Sequence, residues 1–459
     1  MRSPRTPNQA LRILLAEARW SGAQLAHEVN ALGAAQGTPY HYDRTTVAHW
    51  LAGSRPRHPV PELVAQALSR RLDRRVRAQD TGLLAPGRPD HDGERAGGGG
   101  AVDRLDRILH DTCRSGIAQT DVYSLMAPAG SPGTSPLTQP RSAAAAVATR
   151  VDMTHVATAQ GLLALFSRTD STFGSGVVRV PLHQYLSTTL LPWLRCDMRP
   201  AVRREMFTVA AQLTYLCAFT HFDMNHHGDA QRLYLASVQL AREAGDPIGQ
   251  ALALRGLSVQ AHALGRSAEA RDLAEEAVRT SARYAPPHQQ AFLYGQLAVA
   301  TAAAGGLGAA RLLASAERCL ERSSGAATSV GAFHLGSLAL QQAVVARTAG
   351  ELNAAVRALQ LSRRLRPAEE WRSRALGTAE LAETQLSAGH LDQACVTWQD
   401  FLEVYPHIHS ARADDRLRAL RAALRPHSAH PAAAAALART RTMHPRAGRS
   451  REHRPHVGS

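Results

Sequence analysis

Gly350-Glu351-Leu352-Asn353-Ala354-Ala355-Val356-Arg357-Ala358-Leu359 is the run on which the fold of most of this chain turns. A helix precedes it, the glycine breaks that helix, and a second helix follows. Gly265-Arg266-Ser267-Ala268-Glu269-Ala270-Arg271-Asp272-Leu273 and Gly389-His390-Leu391-Asp392-Gln393-Ala394-Cys395 repeat the form. Five segments share it, with pivot glycines at Gly228, Gly265, Gly305, Gly350 and Gly389, spaced 37, 40, 45 and 39 residues apart. Small residues at Ala253, Ala270, Ala298, Ala310, Ala339, Ala355, Ala382 and Ala394 let helices approach closely. Pro247, Pro286, Pro367 and Pro406 lie near the junctions, where a helix must stop. A non-repeating bundle would not keep five glycines in phase.

The period, the glycine turn and the small-residue positions resemble the tetratricopeptide repeat, with longer connections than its nominal period allows. That resemblance implies a right-handed α-solenoid over residues 203–424, each helix pair stacking only on its neighbours. It further implies a concave face that takes a protein or peptide effector. Ala411 to Leu424 reads as a capping helix. Residues 151–202 read as a helical lead-in: an amphipathic helix, a glycine-bearing loop Asp170–Gly176, and a helix opened by Pro181. The loop lacks the Lys-Ser/Thr pair and the preceding strand of a phosphate-binding loop.

Residues 1–84 form a separate helical head. Its centre is Asp43 to Arg57, where Val47, Trp50 and Leu51 make one apolar face and Arg44, Thr45, Thr46, Ala48 and His49 lie on the others. Asp43 is placed as N-cap and Gly53 as the left-handed stop. Arg55 and Arg57 follow at once. Helices are expected over 8–19 and 22–32, and a further one is opened by Pro59 and Pro61. Gln24-Leu25-Ala26, Val47-x-x-Trp50 and Gly53-x-Arg55 resemble the lambda-repressor-like, or XRE, helix-turn-helix regulators. The resemblance implies that Gln24 contacts the backbone of double-stranded DNA and that the third helix reads bases. Arg55 and Arg57 would sit at phosphate. Two features depart from that family: Leu51 stands where an acidic residue is common, and Gly33–Tyr42 intervenes where the turn is normally tight. The insert is either a wing whose Tyr40, His41 and Tyr42 meet DNA, or a bulge covering the core.

Charge is distributed to match. Residues 1–80 carry 12 Arg against 6 acids and residues 425–459 carry 7 against 1, each a surplus of 6, while 81–424 carry 34 against 31. Every basic side chain is arginine. Residues 85–150 read as a flexible linker with one short, poorly anchored helix, and 425–459 as a disordered basic tail that adds weak affinity for DNA.

Catalytic patterns are absent: no nucleophile triad, zinc-protease or Walker motif occurs, so no enzyme and no cofactor are expected. His221, Asp223, His226, His227 and Asp229 are of metal-ligand type but span a repeat turn, where polar residues belong anyway. Five cysteines without knuckle spacing read as free thiols. No apolar run reaches membrane-spanning length, and nothing points outside the cytoplasm. Head and array together resemble regulators common in filamentous actinobacteria that control differentiation and antibiotic production. The expected protein is thus an all-α DNA-binding transcription regulator, acting as a homodimer, with an effector on its repeats. The rival is a tetratricopeptide scaffold whose helical head does not bind DNA.

Overall fold

A computed structural model describes residues 7–35, 40–56, 60–72, 76, 78–83, 100–114, 150–281, 284–323 and 333–443. Among them every regular element is helical, and they divide into a head and a larger array.

The head contains α1 (Gln9–Ala18), α2 (Gly22–Ala35), α3 (Arg44–Leu51), α4 (Val60–Leu72) and a final turn, Ala78–Thr81. Its core is Leu11, Leu14, Leu15, Leu25, Val29, Val47, Trp50, Leu63, Val64 and Leu68, the residues that helical periodicity assigns inward. Asn8 anchors three pieces. Its side chain accepts from Leu11 N at 3.0 Å and donates to Thr81 O at 2.9 Å. Its backbone N–H donates to Leu51 O at 2.9 Å, fixing the end of α3. Helix α2 extends to Ala35, so Gly33 lies within it and the connection to α3 is shorter than expected.

The array opens with α5 (Ala101–Arg114), α6 (Met153–Phe173), α7 (Ser175–Tyr185) and the short α8 (Leu191–Leu194). Five hairpins follow: α9 (Pro200–Asp223) with α10 (His227–Ala244), α11 (Pro247–Ala263) with α12 (Ser267–Ser281), α13 (Pro287–Ala303) with α14 (Ala309–Glu321), α15 (Leu335–Thr348) with α16 (Leu352–Leu365), and α17 (Trp371–Ser387) with α18 (Leu391–Val404). Helices α19 (Ala411–Leu424) and α20 (Pro431–Thr440) end it. Each of the five hairpins turns in the same way. At Gly350, with φ of 80°, the glycine N–H donates to Arg347 O and the next N–H, of Glu351, donates to Ala346 O. Gly265, Gly305 and Gly389 repeat this geometry, which satisfies two helix-end carbonyls each time. In the first hairpin the left-handed residue is Asn225, with φ of 63°, and not Gly228, which is buried inside α10. Asparagine is the non-glycine residue that best tolerates this region, so it hid the turn from a search for glycine. The first spacing is therefore that from 225 to 265, 40 residues, rather than 37.

Seven of the eight expected small positions are buried; Ala310 is exposed, and Ala309 occupies the contact. Pro247 is the first residue of α11, Pro286 precedes α13, Pro367 separates α16 from α17, and Pro406 lies in the turn after α18.

Two segments expected to be loosely held are packed. Helix α5 buries Leu105, Ile108 and Leu109 in the same core as α9 and α10. Ala101 N–H donates to Glu243 at 2.8 Å, and Arg195 pairs with Asp106 at 2.5 Å. In the C-terminal segment, α20 buries Ala433 and Ala436 against α18 and α19, and Arg421 holds its end through Thr440 O and Met443 O. Alanine-rich sequence reads as featureless, yet it is what a tight helix crossing requires. The short helix expected in the linker is Ala101–Arg114; linker residues 115–149 and the rest of the tail, 444–459, lie outside the described residues.

The two ends of the array meet. Gly176 N–H donates to His409 O at 2.8 Å, and His409 N–H donates to Phe173 O at 2.7 Å. The expected loop Asp170–Gly176 is a break at Gly174 alone between α6 and α7, and Pro181 lies inside α7 instead of opening a helix. A Cβ on Gly174 would stand 2.6 Å from His409 O, so the glycine allows a close backbone contact. Beneath this seam, Arg372 of α17 pairs with Asp170 of α6 at 2.9 Å and Asp223 of α9 at 3.5 Å.

Candidate functional site

Helix α3 is built to present one face. Asp43 accepts from Thr46 N–H at 2.8 Å and from the Thr46 hydroxyl at 2.7 Å. These bonds, led by the hydroxyl, hold the Asp43 carboxyl below its ordinary pKa. At the other end Gly53, with φ of 95°, donates to Trp50 O and Ser54 donates to His49 O, the same closing geometry as in the hairpins. Val47 and Trp50 are buried, which turns Arg44, Thr45, Ala48 and His49 outward; all four are exposed, as is Arg55. Gly22 makes the seat for Val47: a Cβ there would lie 3.3 Å from Val47 Cγ1.

Two of the expected contact residues also have local duties. Thr46 is half-buried, and its hydroxyl is committed to the Asp43 cap. Gln24 is exposed but completes a capping box: its Oε1 accepts from Ser21 N–H at 2.8 Å, and its own N–H donates to Ser21 Oγ at 3.3 Å. Only the Gln24 amide nitrogen lies outside that box. Arg57 lies outside the described residues.

The insert covers the core at its described end. Tyr42 packs edge-on against Trp50 with centroids 5.3 Å apart, and Tyr40 stacks on Tyr42 at 5.2 Å. Asn30 brackets the Tyr42 backbone, donating to its carbonyl and accepting from its N–H, both at 2.9 Å. His41 alone of the three is exposed. Asn30 carried no signal in the sequence, because a polar residue on a helix reads as solvated until its partner is known.

A second candidate is a set of charges on the first helices of the hairpins. His262 on α11 lies within electrostatic reach of Arg347 on α15 and Glu380 on α17. These helices and their neighbours carry Arg347 with Glu380 at 3.0 Å, Arg416 with Glu383 at 2.6 Å, and Arg372 with its two aspartates. Arg412 approaches Asp223 at 4.0 Å and lies over the Phe222 ring. Burial alone would lower the Arg372 pKa, but Asp170 and Asp223 outweigh it and hold it above the usual arginine range.

The histidine-aspartate cluster does not assemble. Among the described residues no group of three metal-ligand side chains converges. Asp223 is drawn to Arg372, His227 packs on the Phe222 ring, and His221 Nδ1 is 3.9 Å from Asp229. Burial, reinforced by Arg179, pushes the His221 imidazole down to about 3 and keeps it neutral. Cys196, Cys217, Cys319 and Cys395 are free thiols, and burial pushes Cys217 up to about 12. No helix among the described residues is long and apolar enough to cross a membrane.

The fold thus defines an all-α protein with, among the described residues, a head of four α-helices and a solenoid of five hairpins. Residues 11–84 match the SP15 N-terminal domain family, a stretch that coincides with the head and leaves the array unmatched. Comparison with curated proteins finds no match.

Proposed function

We propose that this chain is a transcription regulator that binds double-stranded DNA through the head, with α3 in the major groove, and receives a protein or peptide partner on the inner face of the array. One observation carries the DNA half: α3 is pinned from behind by Val47 and Trp50 while Arg44, Thr45, Ala48 and His49 stand exposed, with Arg55 beside them. Small polar side chains and one cation leave room for base edges, and arginine beyond the helix suits phosphate. The surplus of 6 arginines over acids in residues 1–80 supports the same reading. One short helix reads few bases, so the active species is a homodimer in which two heads share one operator. No residue is assigned a catalytic role, and the site of action is the cytoplasm.

A gel shift with the full chain tests the proposal. Arg55→Ala with Arg57→Ala should weaken binding to all duplexes alike and reduce the slope of log K against log salt by about 2, one unit for each phosphate no longer neutralised. Thr45→Ala with His49→Ala should instead act mainly on preference between duplexes. Double-mutant binding equal to wild type removes the phosphate role. A full chain that ignores duplex DNA at low salt removes the DNA reading and leaves the scaffold one.

A further inference from the structure

The charges on the first helices of the hairpins and their neighbours do not cancel. Asp170, Asp223, Glu380 and Glu383 each have an arginine partner, namely Arg372, Arg347 or Arg416, with Arg412 sharing Asp223. Arg255 of α11 stands apart. Its Nε donates to Phe292 O at 3.1 Å, and its guanidinium carbon lies 3.3 Å over the Phe292 ring. The phenol of Tyr215 also lies beside it. No carboxylate is paired with it among the described residues, and surrounding atoms strip it of water enough to lower its pKa. It remains half-buried rather than sealed. Within α11 it is the single formally charged side chain.

A guanidinium cannot shed its proton at physiological pH, so a half-buried arginine held on an aromatic ring with no carboxylate paired to it is a ready seat for an anion. Phe292 fixes the plane of the fork, which removes the entropy cost of orienting it. The hydroxyl of Tyr215 also lies within electrostatic reach of Asp170 and Arg372, which places the site beside the junction of α6 and α17.

We infer that the array binds its ligand through a single anionic group, a carboxylate or a phosphate, seated on Arg255 beside Phe292 and Tyr215. This rests on the partner-binding half of the proposed function and not on DNA binding. A chain that fails the gel shift can still pass the test below.

The test is calorimetric titration of the full chain with three probes: an end-capped tripeptide with one central aspartate, the same tripeptide with asparagine, and inorganic phosphate. A single charge is used because a chain of net charge +15 attracts any polyanion. The aspartate probe or phosphate should bind at least about tenfold more tightly than the asparagine probe, equivalent to about 1.4 kcal/mol. Arg255→Gln should abolish that margin, and Arg255→Lys should keep part of it. Preference for the aspartate probe assigns the site to a peptide carboxylate, and preference for phosphate assigns it to a phosphorylated or free-phosphate ligand. Equal binding of all three probes to the wild-type chain overturns the inference even if Arg255→Gln does not fold. So does a margin that survives Arg255→Gln in a folded variant.

Discussion

Asp43 shows how one side chain orders an exposed helix face through a cap. Its carboxylate caps α3 and orders the first turn, so Arg44 and Thr45 project from a fixed helix. Because its pKa is lower folded than unfolded, its contribution is complete above the unfolded value, near about 3.9, and vanishes as pH falls through the folded one. Asp43→Ala should therefore speed exchange of the Thr46 amide hydrogen at neutral pH. The difference from wild type should shrink steadily on acidification; a difference independent of pH would show that the cap works without its charge. Both the cap and the Gly53 stop follow from residue type and spacing. That Thr46 and Gln24 take part in caps did not, because a hydroxyl or an amide suits many partners equally until the local geometry is known.

At the scale of the element, the hairpin turn separates two uses of glycine. Gly350 has a left-handed φ of 80° and open space where a Cβ would go, so Gly350→Ala should cost only backbone strain, about 1 kcal/mol. Gly174 has φ of 87° and the His409 carbonyl in that space. Gly174→Ala should cost more, since the seam between Phe173 and His409 must move. Urea denaturation of the two variants should give clearly separated midpoints, and equal midpoints would mean that the seam contributes nothing. The four hairpin glycines at turns were legible because only glycine makes this turn cheaply. Asn225 was not legible, since asparagine has many other reasons to occur between helices. Nor was α20, whose alanines acquire meaning only from what they pack against.

For the whole molecule, the decisive feature is that the array returns upon its own start. Arg372 is 8% exposed, Asp170 5% and Asp223 0%. Removing the arginine leaves buried Asp170 without its cation and Asp223 with only the longer approach of Arg412, so Arg372→Ala should destabilise by about 3–5 kcal/mol or open the seam. Arg372→Met with Asp170→Asn, which removes the buried Arg372–Asp170 pair and leaves Asp223 beside Arg412, should recover part of the loss. Small-angle scattering and urea denaturation together read both outcomes; a single variant as stable and compact as wild type would show that the pair does not hold the ends. By itself the sequence determined the helical class, the division into head and array, four of the five turns and the outward face of α3. Those depend on contacts a few residues apart, where spacing and side-chain type leave little choice. Only the tertiary structure decided that residues 170 and 372 meet, that α5 and α20 belong to the core, and that no carboxylate among the described residues pairs with Arg255. Pairings across two hundred residues follow from the curvature accumulated over every hairpin between them, and no local pattern encodes that sum.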